Sequence, residues 1–185
     1  MSRFQLRPLA PDDLDALVAL DADPLVMRHI TGGQATPRAL ARDVLLPAML
    51  ATATRPGLGF FVVESPSGEF LGWVHLRHDR LEPAWAEIGY RLVRSCWGQG
   101  LATEVSATLV ERAFEGLGFE TVSARTVPEN QASRRVMEKL GMREAGRFVF
   151  PARALPGLVL PEAEGVLYTL SRADWLRGRE APQSE

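Results

Sequence analysis

The chain has 185 residues, 46% hydrophobic and 24% charged, with 21 basic side chains against 23 acidic ones for a formal charge of −2. That length suits one ordinary domain, the composition excludes extended disorder, and near-neutrality argues against bulk attraction to nucleic acid or to an anionic membrane. With one cysteine, Cys96, no charged-then-apolar leader in MSRFQLRPLA, and no run near the roughly 18–20 apolar residues that span a bilayer, the expectation is a cytoplasmic protein without disulfides or a membrane partner.

Phe4 and Leu6 alternate with Arg3, Gln5 and Arg7, which predicts a short strand, and Pro11-Asp12-Asp13 supplies the start of a helix carrying LDALVAL. Pro24, Gly32-Gly33 and Pro37 punctuate two further helices, near 24–30 and 37–53. After Arg55-Pro56-Gly57 the composition turns to β-branched and aromatic residues, and 58–64, 70–80 and 85–93 predict three antiparallel strands. A break at Gly98 and Gly100 precedes a helix in which Leu101, Val105, Leu109 and Ala113 recur at helical spacing. Residues 121–126 predict a strand, 131–140 a helix ended by Gly141, 142–150 and 163–171 two more strands, and a short helix closes the set. Pro151, Pro156 and Pro161 mark a segment too rich in proline for regular structure, a long loop that either covers a binding site or crosses the surface. Residues 1–178 read as one domain and 179–185 as a mobile tail.

The chemistry concentrates in 92–102, LVRSCWGQGLA, where a strand runs through a small-residue turn into a long amphipathic helix. Gly98 and Gly100 let the turn approach a ligand closely, and the first N–H groups of the helix lack partners within it, so they suit phosphate oxygens without a lysine. A GxGxxG pattern read from Gly98 needs glycine where Thr103 stands, and no Gly-Lys-Ser/Thr run is present, which weakens the dinucleotide-binding and P-loop alternatives. His29, His75 and His78 with one cysteine form no spaced ligand set, so no metal is expected.

In EIGYRLV (87–93), WGQGLATE (97–104) and NQASRRVMEKLGM (130–142) the chain resembles the GNAT acyltransferases. It is most similar to the branch that includes the RimJ/RimL type of ribosomal-protein N-terminal acetyltransferases, where tryptophan before the glycine turn is usual. The family's Gln/Arg-x-x-Gly-x-Gly/Ala turn is matched at Gly100 and Ala102, with Trp97 at the leading position. The resemblance implies an α/β fold of GNAT type: a mixed, mostly antiparallel sheet of about seven strands, helices on both faces, and a splayed cofactor cleft between 85–93 and 121–126. It implies acetyl transfer from acetyl-CoA to a primary amine, a protein or peptide N-terminus or a small amine, by direct attack. On the family's pattern, backbone groups of Leu92 and Val93 pair with the pantetheine arm, and a backbone N–H near Val93 polarises the thioester. Trp97, Gly98, Gln99, Gly100, Leu101, Ala102 and Thr103 surround the pyrophosphate, and Asn130 and Ser133 face the arm and sulfur. Many relatives dimerise, although no feature here identifies an interface. A non-catalytic acyl-CoA-binding regulator and transfer of another acyl group, such as succinyl, are the alternatives.

Met137 stands where many members carry a tyrosine acid, so Ser133 becomes the candidate to assist the leaving thiolate; the plainer role is capping at a helix start, which also suits Asn130. Glu87 is the candidate base, and its alternative is a structural carboxylate paired with Arg91 or another arginine. By strand parity at most one of His75 and His78 faces the cleft, while Tyr90 and Trp73 read as core and Cys96 as a small buried thiol. Arg134, Arg135 and Lys139 either reach cofactor phosphates or form a solvated helix face, with Arg134 and Glu138 spaced as an i,i+4 pair.

Overall fold

In the computed structural model, which describes residues 3–180, the leading third obeys its punctuation. Strand β1 (Gln5–Pro8) leads into α1 (Leu14–Asp21), α2 (Pro24–Thr31) and α3 (38–50). Asp13, just before α1, accepts hydrogen bonds from the Arg7 guanidinium at 2.6 and 2.8 Å and from the Ala10 amide at 2.8 Å, which fastens the helix start to β1. Asp23 caps α2 by accepting the Leu25 N–H at 2.9 Å, Pro24 opens the helix, and Gly32 ends it in the left-handed region at φ 70°.

Strands β2 (Gly59–Glu64), β3 (Phe70–His78) and β4 (Ala86–Leu92) form the expected antiparallel meander. Helix α4 (Leu101–Glu111), prolonged by a π turn at Arg112–Gly116, then leads to β5 (Thr121–Thr126), α5 (Gln131–Lys139) and β6 (Arg143–Phe150). After β7 (Arg153–Leu155) and β8 (Leu158–Leu160) come β9 (Ala163–Ser171) and α6 (Arg172–Glu180). The main sheet has seven strands in the order β1-β2-β3-β4-β5-β9-β6, antiparallel throughout except for β4 against β5.

Period-two alternation divides the labour of this sheet. Val74, Leu76, Ala86, Ile88, Val122, Ala124 and Val166 bury one face against the Leu101, Val105, Leu109 and Ala113 stripe of α4. Each such buried Leu or Val contributes about 1.5–3 kcal/mol by leaving water. On the face toward α1 and α3, Val62 packs with Leu9, Leu17 and Leu46, but further along stand Trp73, His75, Arg77, Glu87, Arg91, Ser123 and Arg125. A sheet face so rich in charge is unusual, and it is where the site lies.

The decisive irregularity is between β4 and β5. Their parallel pairing is confined to Ala86 with Val122 and Glu87 with Ser123; beyond Glu87 the two strands part. A parallel strand pair that separates after two residues opens the middle of the sheet, as the resemblance implied.

Two expectations are corrected. The proline-rich segment is not irregular: β7 and β8 form a hairpin that turns at Pro156-Gly157, with Gly157 at φ 74°. Pro151 and Pro161 lie just outside the ladder and Pro156 in the turn, so none removes a rung. The turn rests on Pro37, whose Cγ would be 3.2 Å from a Cβ on Gly157. The expected tail begins inside α6: residues 179 and 180 are helical, with Arg179 3.3 Å from both Glu111 and Glu115, while 181–185 lie outside the described residues. Among the described residues no helix is long and apolar enough to cross a membrane.

Candidate active site

A cavity of about 590 Å³ passes through the sheet where β4 and β5 part. Asn130, Ser133 and Met137 of α5 line one side; His29, Trp73, His75 and the hairpin's Arg153 line the other. The Val93 N–H donates to the Leu71 carbonyl at 2.9 Å, which sets the phase of the β3–β4 ladder. In an antiparallel ladder such bonded residues alternate with ones that point the other way, so Ile88, Tyr90 and Leu92 turn their backbone groups toward the gap. The expectation for Val93 is corrected accordingly. Its N–H is taken by Leu71 and its carbonyl by the Cys96 N–H at 3.1 Å, and the backbone donors that remain at the gap are those of Tyr90 and Leu92.

The turn before α4 has the form its sequence suggests. Gly98 and Gly100 adopt φ 73° and 81°, conformations that L side chains rarely take, and a Cβ at Gly98 would meet nothing within 4 Å. Among the described residues no side chain caps α4, so the amides of Leu101, Ala102 and Thr103 stand at an open helix N-terminus. Trp97 and Gln99 build the turn: the indole N–H donates to the Leu92 carbonyl at 3.0 Å, and the Gln99 amide to the Ser95 carbonyl at 2.7 Å. Arg3 buttresses the turn from β1's side, donating to the Gln99 carbonyl at 3.1 Å and to Glu104 at 2.5 Å. Open backbone amides, room above Gly98 and an unspent strand edge suit a pyrophosphate followed by an amide-bearing arm.

On α5, Asn130 does what a cap does, its side-chain oxygen accepting the Ser133 N–H at 3.2 Å, and it also lines the cavity. Ser133 Oγ accepts from the Tyr90 hydroxyl at 3.4 Å. Tyr90 and Trp73, read from the sequence as core, both border the cavity; parity alone had no way to show that the sheet opens beside them. Burial pushes the Tyr90 hydroxyl above its ordinary pKa, so it keeps its proton at neutral pH.

The two histidines separate as parity requires. His78 Nδ1 lies 2.8 Å from the Pro83 carbonyl and its ring packs edge-on to Phe119, whereas His75 borders the cavity. His75 packs against Phe60 and Trp73 and sits directly over Gly89, where a Cβ would come within 2.5 Å of its ring. Among the described residues neither ring nitrogen has a hydrogen-bond partner. Burial, reinforced by Arg77 and Arg80, holds its pKa well below the ordinary 6.5, so the imidazole is neutral.

Glu87 stands behind His75, with Oε1 3.8 Å from Nε2. Both carboxylate oxygens accept from Arg77, at 2.8 and 2.9 Å, and Arg125 is 3.7 Å away. Pairing with Arg91 does not occur: Arg91 donates to Asp21 and lies over the Trp73 ring at 5.0 Å, while Asp21 also accepts from Thr36 at 2.6 Å. Arg134 pairs with Glu144 at 3.0 Å rather than with Glu138, and donates to the Tyr168 hydroxyl at 3.0 Å, which in turn donates to Glu138.

Sequence reasoning missed the buried charge beneath the site. Asp79 accepts two hydrogen bonds from Arg125, at 2.6 and 3.0 Å, one from Ser123, and those of the Leu81 and Glu82 amides at 2.8 and 3.1 Å. Burial works to raise its pKa, but Arg125, Ser123 and the two amides together hold it down at about 2. Asp79 and Arg125 are 46 positions apart, and nothing in local periodicity couples them.

A pH effect on stability follows from His75. An unfolded chain takes up a proton at that histidine near pH 6.5, and the native protein does not. Stability should therefore hold above pH 6.5 and decline as the pH falls below it, by at most about 1.4 kcal/mol per pH unit. Urea unfolding at pH 7.5, 6.5 and 5.5 measures the decline, and His75→Gln should flatten it.

Comparison with known proteins agrees with this geometry. Residues 3–143 match the family model described as Acetyltransferase (GNAT) domain. The chain is 33% identical to the FsC-acetyl coenzyme A-N(2)-transacetylase of Aspergillus fumigatus, over 95% of this chain and 77% of that protein. Among solved structures it superposes on spermidine N-acetyltransferase from Vibrio cholerae in complex with CoA and spermine, with a TM-score of 0.72 at 18% identity over 95% of this chain and 99% of that one. It also superposes on the aminoglycoside acetyltransferase AAC(6')-Ib in complex with CoA and kanamycin, with a TM-score of 0.74 at 20% identity over 96% and 99%.

Proposed function

We propose residue roles and an acceptor from one premise: the chain belongs to the GNAT acetyltransferase family. It is an acetyltransferase whose cosubstrate is acetyl-CoA, and the proposed acceptor is a primary amine, a peptide N-terminus or a small amine, that attacks directly. The observation that carries this reading is the parting of β4 and β5 beside Ser133 and His75, because it gives one cavity access to both faces of the sheet. The catalytic domain is proposed to extend through α6, to residue 180 rather than 178. EIGYRLV and Trp97 favour the RimJ/RimL-like branch.

Acetyl-CoA supplies a thioester carbonyl and a thiolate leaving group. The helix start at Leu101, Ala102 and Thr103, after Gly98 and Gly100, is placed to hold the pyrophosphate, and the gap-facing groups of Tyr90 and Leu92, with Asn130, to hold the arm. One of those strand N–H groups would meet the negative charge that develops on the carbonyl oxygen. As the C–N bond forms, the amine nitrogen becomes strongly acidic, so even a base of lowered pKa is adequate to take its proton. The proposed base is His75, neutral and with neither ring nitrogen hydrogen-bonded among the described residues; both nitrogens are buried, so the ring must turn toward the cavity to take the proton. Glu87 shifts from the expected base to a positioning residue: it is absent from the cavity wall, and its oxygen behind Nε2 favours the imidazolium that forms. As the C–S bond breaks, Ser133 would give a proton to the sulfur and recover one from Tyr90, which regains a proton from solvent as His75 releases the one taken from the amine.

Purified protein with acetyl-CoA and a panel of amines should release free thiol in step with amine loss; acetyl-CoA turnover without amine loss would overturn the reading. If Ser133 and Tyr90 act as one donor, Ser133→Ala and Tyr90→Phe each lower kcat about tenfold, and the double variant is no worse than Ser133→Ala. Multiplying effects would separate the two roles.

A further inference from the structure

The acceptor side of the cavity has an unusual charge. His29, His75, Arg80, Arg91, Arg125 and Arg153 contribute to the lining, and no aspartate or glutamate does. Three neighbouring arginines are already matched: Arg125 by Asp79, Arg91 by Asp21, and Arg77, just behind, by Glu87. Arg80, after β3, and Arg153, on the β7–β8 hairpin, have no acidic partner within salt-bridge distance among the described residues. Arg80 feels this crowding. Its pKa is lowered, first by desolvation and then by Arg77; Glu87 opposes the shift, and Arg153 and Arg125 add to it.

A cavity walled by unmatched guanidinia is a poor host for a polycation. Each ammonium group beyond the reacting one would meet like charge with no carboxylate to receive it. The solved neighbours described above hold spermine or kanamycin, which makes the contrast informative. A guanidinium fork recognises a carboxylate through two parallel N–H donors, and two forks, one just after β3 and one on the hairpin, would fix such a group while the amine points inward to His75. With about 590 Å³ shared between the pantetheine arm and the acceptor, the space suits a small molecule.

We propose that the acceptor is a small amine that also carries a carboxylate, bound by Arg80 and Arg153 at the hairpin rim of the cavity. This rests on the reading of that cavity as the acceptor side. Recognition leaves the transfer itself unaltered, since the carboxylate is held and only the amine reacts.

The test compares matched acceptors that differ in the anion: L-phenylalanine against L-phenylalaninamide, and L-glutamate against spermidine, each with saturating acetyl-CoA and thiol release as readout. The expected result is at least a tenfold higher kcat/KM for the carboxylate-bearing member of each pair. Arg80→Gln and Arg153→Gln should each lower kcat/KM for the carboxylate substrates about tenfold through KM, with little effect on the amide. Thermal protection by acetyl-CoA alone reports folding and cofactor binding in every variant. A preference for spermidine or for the amide, or equal losses on both members of a pair, would overturn the proposal. Should no amine turn over, the acetyltransferase reading of the site fails separately. Thermal protection by glutarate in the presence of CoA then decides: protection lost in the two arginine variants supports the anion subsite, and protection absent or unchanged overturns it.

Discussion

His75→Gln is expected to lower kcat by about two to three orders of magnitude while leaving thermal protection by acetyl-CoA intact, the range for removing a positioned base. His75 borders the cavity, neither of its nitrogens is hydrogen-bonded among the described residues, and Gly89 beneath it supplies the clearance the ring needs. Glutamine keeps a polar side chain over Gly89 but cannot take a proton at neutral pH. Because the active form is the neutral imidazole and its pKa is depressed, the acid limb in kcat/KM that belongs to this group should lie below pH 6.5. Glu87→Gln separates positioning from proton transfer: it should move that limb further toward acid while costing less in kcat. If His75→Gln retains full kcat, the proton goes elsewhere and the assignment fails.

Asp79→Asn is expected to destabilise the protein by about 3–5 kcal/mol, the usual consequence of leaving one partner of a buried ion pair alone. The Asp79 side chain is fully buried, and it gathers a guanidinium and a hydroxyl from β5 and two backbone amides from the loop that follows Asp79. An amide in its place accepts fewer of these bonds and leaves Arg125 charged in a poorly solvated spot. For a chain of this size the midpoint of thermal unfolding should drop by roughly 10 °C. A double variant, Asp79→Asn with Arg125→Met, should recover part of the loss because no lone charge remains; if the two losses simply add, the pair is not coupled as the geometry says.

The sequence and the structure agree where chemistry is local. The Leu101, Val105, Leu109 and Ala113 stripe, the Gly98–Gly100 turn and the Asn130 cap are all encoded within a few residues of where they act. What escaped was set by register and distance. Whether Val93 or Tyr90 faces the gap depends on the phase of the ladder with Leu71, which no side-chain pattern records. That Tyr90 borders a cavity depends on β5 turning away, and that Arg125 is held by Asp79 depends on strands far apart in sequence. The proline-rich hairpin misled for a different reason: proline frequency argues against strands only when the prolines fall on ladder positions, and here they flank them.

Sheets ordinarily keep their unpaired edges at the periphery, where charges and prolines discourage other chains from adding on. The separation of β4 from β5 places such an edge in the interior instead, where residues of α5 line the same cavity. Under the proposed roles, a slender guest with its own amide groups enters there and continues the ladder. The same backbone grammar that invites aggregation at an outer strand would then serve, at the centre, to hold a guest. Recognition of this kind depends little on side-chain identity, so the rims remain free to diverge toward one acceptor or another.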